Sequence, residues 1–333
     1  MRNQLFKTRI TEMLGIRHPI LCGGMGPGVS DATYVAAVVN AGGMGFIVAS
    51  AYPDLEQFRE ELHKCRQLTS GKRFGVNLYI SGQPNAASLL QEQVRILAEE
   101  DVLCVETSGG SPDAILPALH ECGIKVLHKV SAVRHARSAE RLGVDAVIVV
   151  GNDSGGHPGT YGISSMVQAP QASRELSIPL VIGGGMGTGS QLAATLVMGA
   201  DAILMGTRML VSEELWIHRQ YKDLLVNSDG TDSVIVKTGL RQHHRVLNNE
   251  SAKAVAAIDA TGTSDFEHYR PHVMGTLTTE AYLTGDSSIG MLDYGPSAVF
   301  ANAVQPVEQI FDDILDDAQL AMQRLNGLCY VEA

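Results

Sequence analysis

LGVDAVIVVG at residues 142–151 and MGADAILMGT at residues 198–207 carry one shared pattern: a helix end, a glycine, Asp-Ala, an apolar strand and a second glycine. A glycine just past the last helical residue suits the left-handed cap that ends many helices. The apolar run behind it suits a parallel strand, which is buried on both faces. The same joint is therefore used twice, as parallel α/β proteins reuse their joints.

Working outward, short β-branched runs alternate with longer amphipathic stretches. Candidate strands fall at 20–23, 46–49, 74–78, 102–107, 125–130, 146–150, 179–183 and 202–205. Helix-like segments at 31–41, 54–68, 112–122, 132–142 and 191–198 lie between them, with Gly42, Gly123, Gly143 and Gly199 at their ends. Strict βα alternation implies a parallel sheet, and eight units favour closure into a (β/α)8 TIM barrel. After the eighth strand, residues 211–280 turn polar and read as mostly helical. They are expected to form an inserted helical lid subdomain on a barrel made of residues 1–210 and 281–333. The stretch 306–325 reads as a long amphipathic helix that closes or packs on the barrel.

With 333 residues, 45% of them apolar, the chain can fill a large core. Its net charge of -11 argues against nucleic acid, which needs clustered Lys and Arg. No apolar run reaches the roughly 20 residues of a membrane helix, and the first residues lack a signal-peptide core. Five scattered cysteines without CxxC spacing suit a reduced, cytoplasmic protein and no metal ribbon.

Glycines cluster at strand carboxyl ends: 23–26 after the first, 155–159 after the sixth, 183–187 after the seventh and 206 after the eighth. Barrels of this class build their sites on that face, with phosphate commonly held by the loops after strands seven and eight. Glycine lets backbone N–H groups approach an anion. Gly184, Gly185, Gly206 and Thr207 are therefore the expected phosphate ligands. Neither G-x-G-x-x-G nor a Walker A sequence occurs, which removes the nucleotide-binding competitors.

The ordered strings HPILCGGMG (18–26), FGVNL (74–78), HKV (128–130), GGHPG (155–159), IGGGM (182–186) and MGTR (205–208) resemble the nitronate monooxygenases, once called 2-nitropropane dioxygenases. NADH:quinone reductases and FMN-containing enoyl-ACP reductases share much of the pattern. A weaker likeness returns between Gly285 and Gly295. The resemblance implies FMN held without a covalent bond. Gly24 and Met25 would line its ring, Asn77 would hydrogen-bond it, Lys129 would sit near N1 and the C2 carbonyl, and Gly156 would pass close by. It also implies His157 as the catalytic residue. A fixed cation near N1 suits the charge that reduction places there, and a loop imidazole can exchange protons near neutral pH. His128 should point away from Lys129 and serve structure, and His243-His244 reads as surface.

The resemblance implies oxidation of alkyl nitronates or nitroalkanes with O2. The alternative is an NAD(P)H-dependent FMN reductase acting on quinones or enoyl thioesters. Partners are then a small-molecule substrate with O2 or NAD(P)H, with a homodimer as the assembly considered. Gly26-Pro27-Gly28 replaces bulkier residues of the relatives and suggests a more open pocket. Asp153 and Ser154 would add polar groups near the flavin.

Overall fold

The computed structural model describes residues 3–81 and 86–328. Strands β1 (Ile20–Cys22), β2 (Met44–Val48), β3 (Gly75–Ile80), β4 (Cys104–Gly109), β5 (Lys125–Val130), β6 (Ala146–Val150), β7 (Leu180–Gly183) and β8 (Ala202–Met205) each pair in parallel with the next. β8 returns to β1, with Leu21 opposite Leu204, and the barrel is closed. The expected (β/α)8 barrel is the observed one.

Alternation along the strands makes two cores. Leu21, Phe46, Cys104, Leu127, Ile148, Val181 and Leu204 point inward and pack together, while Val76, Val126, Val147 and Ile182 point out toward the helices. Ile10 and Leu14 of the helix Arg9–Leu14 join the inner cluster. This helix opens with Thr8 and Thr11 capping each other reciprocally, which satisfies N–H groups that a helix start leaves unpaired.

The repeated joint has a physical use. Asp145 Oδ2 accepts the Val126 N–H at 2.9 Å, and Asp201 Oδ2 accepts the Leu180 N–H at 2.9 Å. Each aspartate ties the foot of its own strand to the foot of the preceding one. Lys125 Nζ stands 2.8 Å from Asp145, and Arg9 Nη2 stands 2.6 Å from Asp201.

Beyond β8 come the helix Arg219–Val226, an antiparallel hairpin of β9 (Ser233–Val236) and β10 (His244–Leu247), and the helices Glu250–Ala260, Phe266–Val273 and Gly275–Thr284. The hairpin adds two short strands to a segment expected to be mostly helical. Its strands are four residues each, and its turn lacks the Asn-Gly or Asp-Gly pair that marks hairpins in sequence. Instead Lys237 and Arg241 take left-handed conformations at φ 60° and 55°. Val236, Val246, Val255, Tyr269 and Met291 form a small core of their own under the hairpin. The last helix, Val307–Leu328, packs between the helices Gly189–Val197 and Ala32–Ala41 and so takes the place of the eighth barrel helix. A side chain at Gly189 would collide with the Ile314 carbonyl, so the two helices touch backbone to backbone.

Candidate active site

The carboxyl ends of the strands open into a cavity of about 980 Å³. Gly24, Met25, Asn77, Lys129, Gly156, His157, Gly184, Gly185, Gly206 and Thr207 all line it, so the fold brings every sequence-predicted site residue to one mouth.

Its floor is polar because neighbouring strands aim polar residues inward. Asn77 is paired in register with Glu106, and Lys129 lies two residues beyond Leu127, on the same face. Glu106 has no exposed surface. Its Oε2 accepts from Asn77 Nδ2 at 2.6 Å and from the Gly24 N–H at 3.1 Å, while Oε1 stands 3.0 Å from Lys129 Nζ in an ion pair. A buried carboxylate needs such partners to offset its loss of hydration. Lys129 keeps 23% of its side chain open to the mouth, so part of its field reaches whatever lies above. A side chain at Gly24 would overlap Asn77, so only glycine lets β1 end this close to the floor. His128 points the other way. Its Nδ1 meets Thr107 Oγ1 at 2.8 Å, and burial lowers its imidazole to about 4.

One wall is the loop after β6. Gly156 exchanges backbone hydrogen bonds with Arg245 of β10 at 2.9 and 2.6 Å, which ties this loop to the inserted hairpin. That pairing stacks His157 on His244, with ring centres 4.2 Å apart and an 18° angle. His244 Nε2 in turn lies 2.7 Å from Asp293 Oδ1. His244 is 7% exposed and lines the mouth, which corrects its reading as a surface residue; half-buried His243 is its neighbour. Enclosure by the walls, then the neighbouring His244 and Lys237, lower the His157 imidazole below its ordinary value although its ring stays open to the mouth. Burial opposes ionisation of Asp293, but the hydrogen bond and charge of His244 outweigh it and hold that carboxyl low. Lys237 and Arg241 also face the mouth, and burial lowers the Lys237 ammonium from its usual value.

The adjoining side is built from the β7 and β8 loops. Gly184 and Gly185 are left-handed, at φ 93° and 73°. Ser165 Oγ contacts the Gly183 and Gly184 carbonyls at 2.7 and 2.8 Å and holds that loop in place. A side chain at Gly206 would meet nothing within 4 Å, so the backbone there borders an open hollow. Thr207 Oγ1 accepts the Gly295 N–H at 3.1 Å, which leaves its own proton to donate. Asp153 turns away: its Oδ2 accepts the Ser165 N–H at 2.8 Å, so it orders a helix start instead of adding a polar group to the mouth. Ser154 does line the mouth, with its buried Oγ unpartnered. Among the described residues, no group of three or more His, Cys, Asp or Glu side chains could hold a metal.

The nitronate monooxygenase family profile matches residues 7–317. The chain belongs to the nitronate monooxygenase family. It is thereby an FMN-dependent oxidoreductase. A probable nitronate monooxygenase of Staphylococcus aureus (strain JH9) is 28% identical, over 95% of this chain and 99% of the relative. Among solved structures, FabK from Thermotoga maritima is 34% identical with a TM-score of 0.88, covering 97% of this chain and 100% of that one. A nitroalkane oxidase from Streptomyces ansochromogenes is 25% identical with a TM-score of 0.80, covering 95% and 99%.

Within this family member, sequence reading missed Glu106, His244 and Asp293. A lone acid inside an apolar strand run, VLCVETS, was the available signal for Glu106. His244 and Asp293 lie 49 residues apart in the chain, and only the hairpin's return over the β6 loop joins them.

Proposed function

We propose that this protein binds FMN in the mouth and oxidises alkyl nitronates and nitroalkanes with O2. The observation that carries the reading is the opposition, across one cavity, of a fixed cation on the floor and an imidazole on the wall. The residues fit the cofactor. The hollow beside Gly206, the left-handed Gly184 and Gly185, and the free Thr207 proton suit a phosphate group. Gly24, Met25, Asn77, Lys129 and Gly156 border the space left for a flat ring.

FMN, when bound, supplies a two-electron acceptor whose reduced form reacts with O2. Lys129 holds positive charge on the floor, where added negative charge is stabilised, and Glu106 fixes its position. A neutral nitrogen of His157 accepts the carbon-bound proton of a nitroalkane. A pre-formed nitronate has already lost that proton and needs His157 only for orientation. The segment 211–280 acts as the lid, closing the wall with His244 and Lys237.

A second reading, an NAD(P)H-dependent reductase of quinones or enoyl thioesters, draws support from Lys237 and Arg241. These cations line the outer mouth with no ion-pair partner among the described residues, and they suit a phosphate-bearing donor. One experiment separates the two. Purified protein is mixed anaerobically with propyl nitronate and, separately, with NADH, and the flavin absorbance is followed. Bleaching by the nitronate alone supports the first reading; bleaching by NADH alone overturns it in favour of the second.

A further inference from the structure

The role given to His157 leaves its nearest neighbours unused. His244 comes from the inserted hairpin and Asp293 from the segment that pairs with it, Leu247 N–H donating to the Leu292 carbonyl at 2.9 Å. They meet at 2.7 Å, directly behind the ring that stacks on His157. Two features make this more than packing. Backbone bonds between Gly156 and Arg245 run in both directions, so the stack has a fixed register. The carboxylate meets His244 at Nε2, an edge atom, while the face of that ring lies against His157.

We propose that the His244–Asp293 pair is a positioning device for His157, holding its ring in place and keeping it in the proton-accepting form. The proposal rests on the reading of His157 as a base. A carboxylate at hydrogen-bond distance stabilises the imidazolium form of its partner. A ring that takes up a proton while lying flat on His157 resists a second proton there. The groups that face His157 are His244 and Lys237 from the hairpin, Asp293 from the late segment and Lys129 from β5. Cationic groups outnumber the single acid, and the acid is engaged by His244. The walls that enclose His157 and the Lys237 ammonium beside it act in the same direction, lowering the imidazole below its ordinary value.

The test uses full-length, FMN-loaded enzyme with labelled histidine. The His157 signal is assigned by its loss in His157→Asn, and its titration is followed by NMR alongside the pH profile of kcat/KM for a neutral nitroalkane. His244→Phe keeps a flat ring but removes the charge and leaves Asp293 unpaired. It should raise the His157 titration by about one pH unit and move the acidic limb upward with it. His244→Gln, which can still hydrogen-bond Asp293, should shift it in the same direction and carries the test if the Phe variant loses FMN. Asp293→Asn should change it less than His244→Phe does, because losing the acid that faces His157 and losing its hold on the His244 proton act in opposite directions. A His157 titration that stays in place in both His244 variants overturns the proposal, as does a rise in Asp293→Asn that exceeds the rise in His244→Phe. Failure of the base reading is seen separately, as unchanged nitroalkane turnover in His157→Asn.

Discussion

The mouth contains two pairs of basic and acidic side chains built from different parts of the chain. Lys129–Glu106 stands on neighbouring barrel strands, and its acid has no exposed surface. His244–Asp293 is assembled by the insertion, and 36% of the Asp293 side chain is open. The floor pair is part of the core: it satisfies the Gly24 N–H and Asn77 as well as a charge. The wall pair is an attachment, tied to the β6 loop by backbone bonds at Gly156 and by the Arg245 side chain on the Asn152 carbonyl. The difference separates their tasks. The barrel supplies charge on the floor and stability with it, while the insertion supplies polar groups to the wall at little structural cost.

The largest expected effect is on the wall and is catalytic. His157→Asn should keep FMN and fold but lower turnover of neutral nitroalkanes by about 10²–10⁴-fold, sparing pre-formed nitronates. Equal losses on both forms in steady-state assays would remove the base role. Next comes the floor. Lys129→Met strands a buried carboxylate and should cost about 3–5 kcal/mol in urea unfolding. Bound flavin should also become harder to reduce, read as a lower midpoint potential. A loss confined to the potential, with stability untouched, would show that Glu106 does not depend on Lys129.

A smaller effect belongs to the barrel's foot. Asp145→Ala removes the acceptor of the Val126 N–H and should cost about 2 kcal/mol at pH 7. Burial opposes ionisation of Asp145, but its bonds from Lys125, Val126 and His120 outweigh it and hold its folded value below the ordinary one. The stabilisation is therefore full above the unfolded value, about 3.9, and disappears as pH falls through the folded value. Wild type and variant should converge in acid denaturation; a gap that persists at the lowest pH would assign it to packing. Smallest of all, His244→Phe should cost about 1 kcal/mol or less, since its partner is half open. A cost matching that of Lys129→Met would erase the distinction between floor and wall.

The barrel was legible because its signals are local and repeated. The Asp-Ala joint recurs within a few residues of each glycine, and its strands are short, unbroken apolar runs. The glycine loops after β7 and β8 and the place of Lys129 were legible for the same reason, as glycines and a lysine at strand ends. Glu106 was one residue in an apolar run, visible but without a partner in sequence. His244 was hidden more deeply. Its strand is four residues long, its turn uses Lys237 and Arg241 where glycine or asparagine usually marks a hairpin, and its partner arrives 49 residues later. Nothing in local periodicity carries such a meeting; it exists only after the insertion folds back on the barrel.

The place of the helix Val307–Leu328 has a consequence for how the chain is made. It fills the gap between the helices Gly189–Val197 and Ala32–Ala41, so the seam between β8 and β1 stays uncovered until residues far beyond β8 have been synthesised. A ribosome therefore holds a barrel with all its strands translated and one flank still bare. The intervening residues, hairpin included, emerge during that interval and can fold before the seam is sealed. Synthesis order thus places the inserted segment ahead of the last helix, and a chain released before residue 307 is left with an apolar flank that invites aggregation.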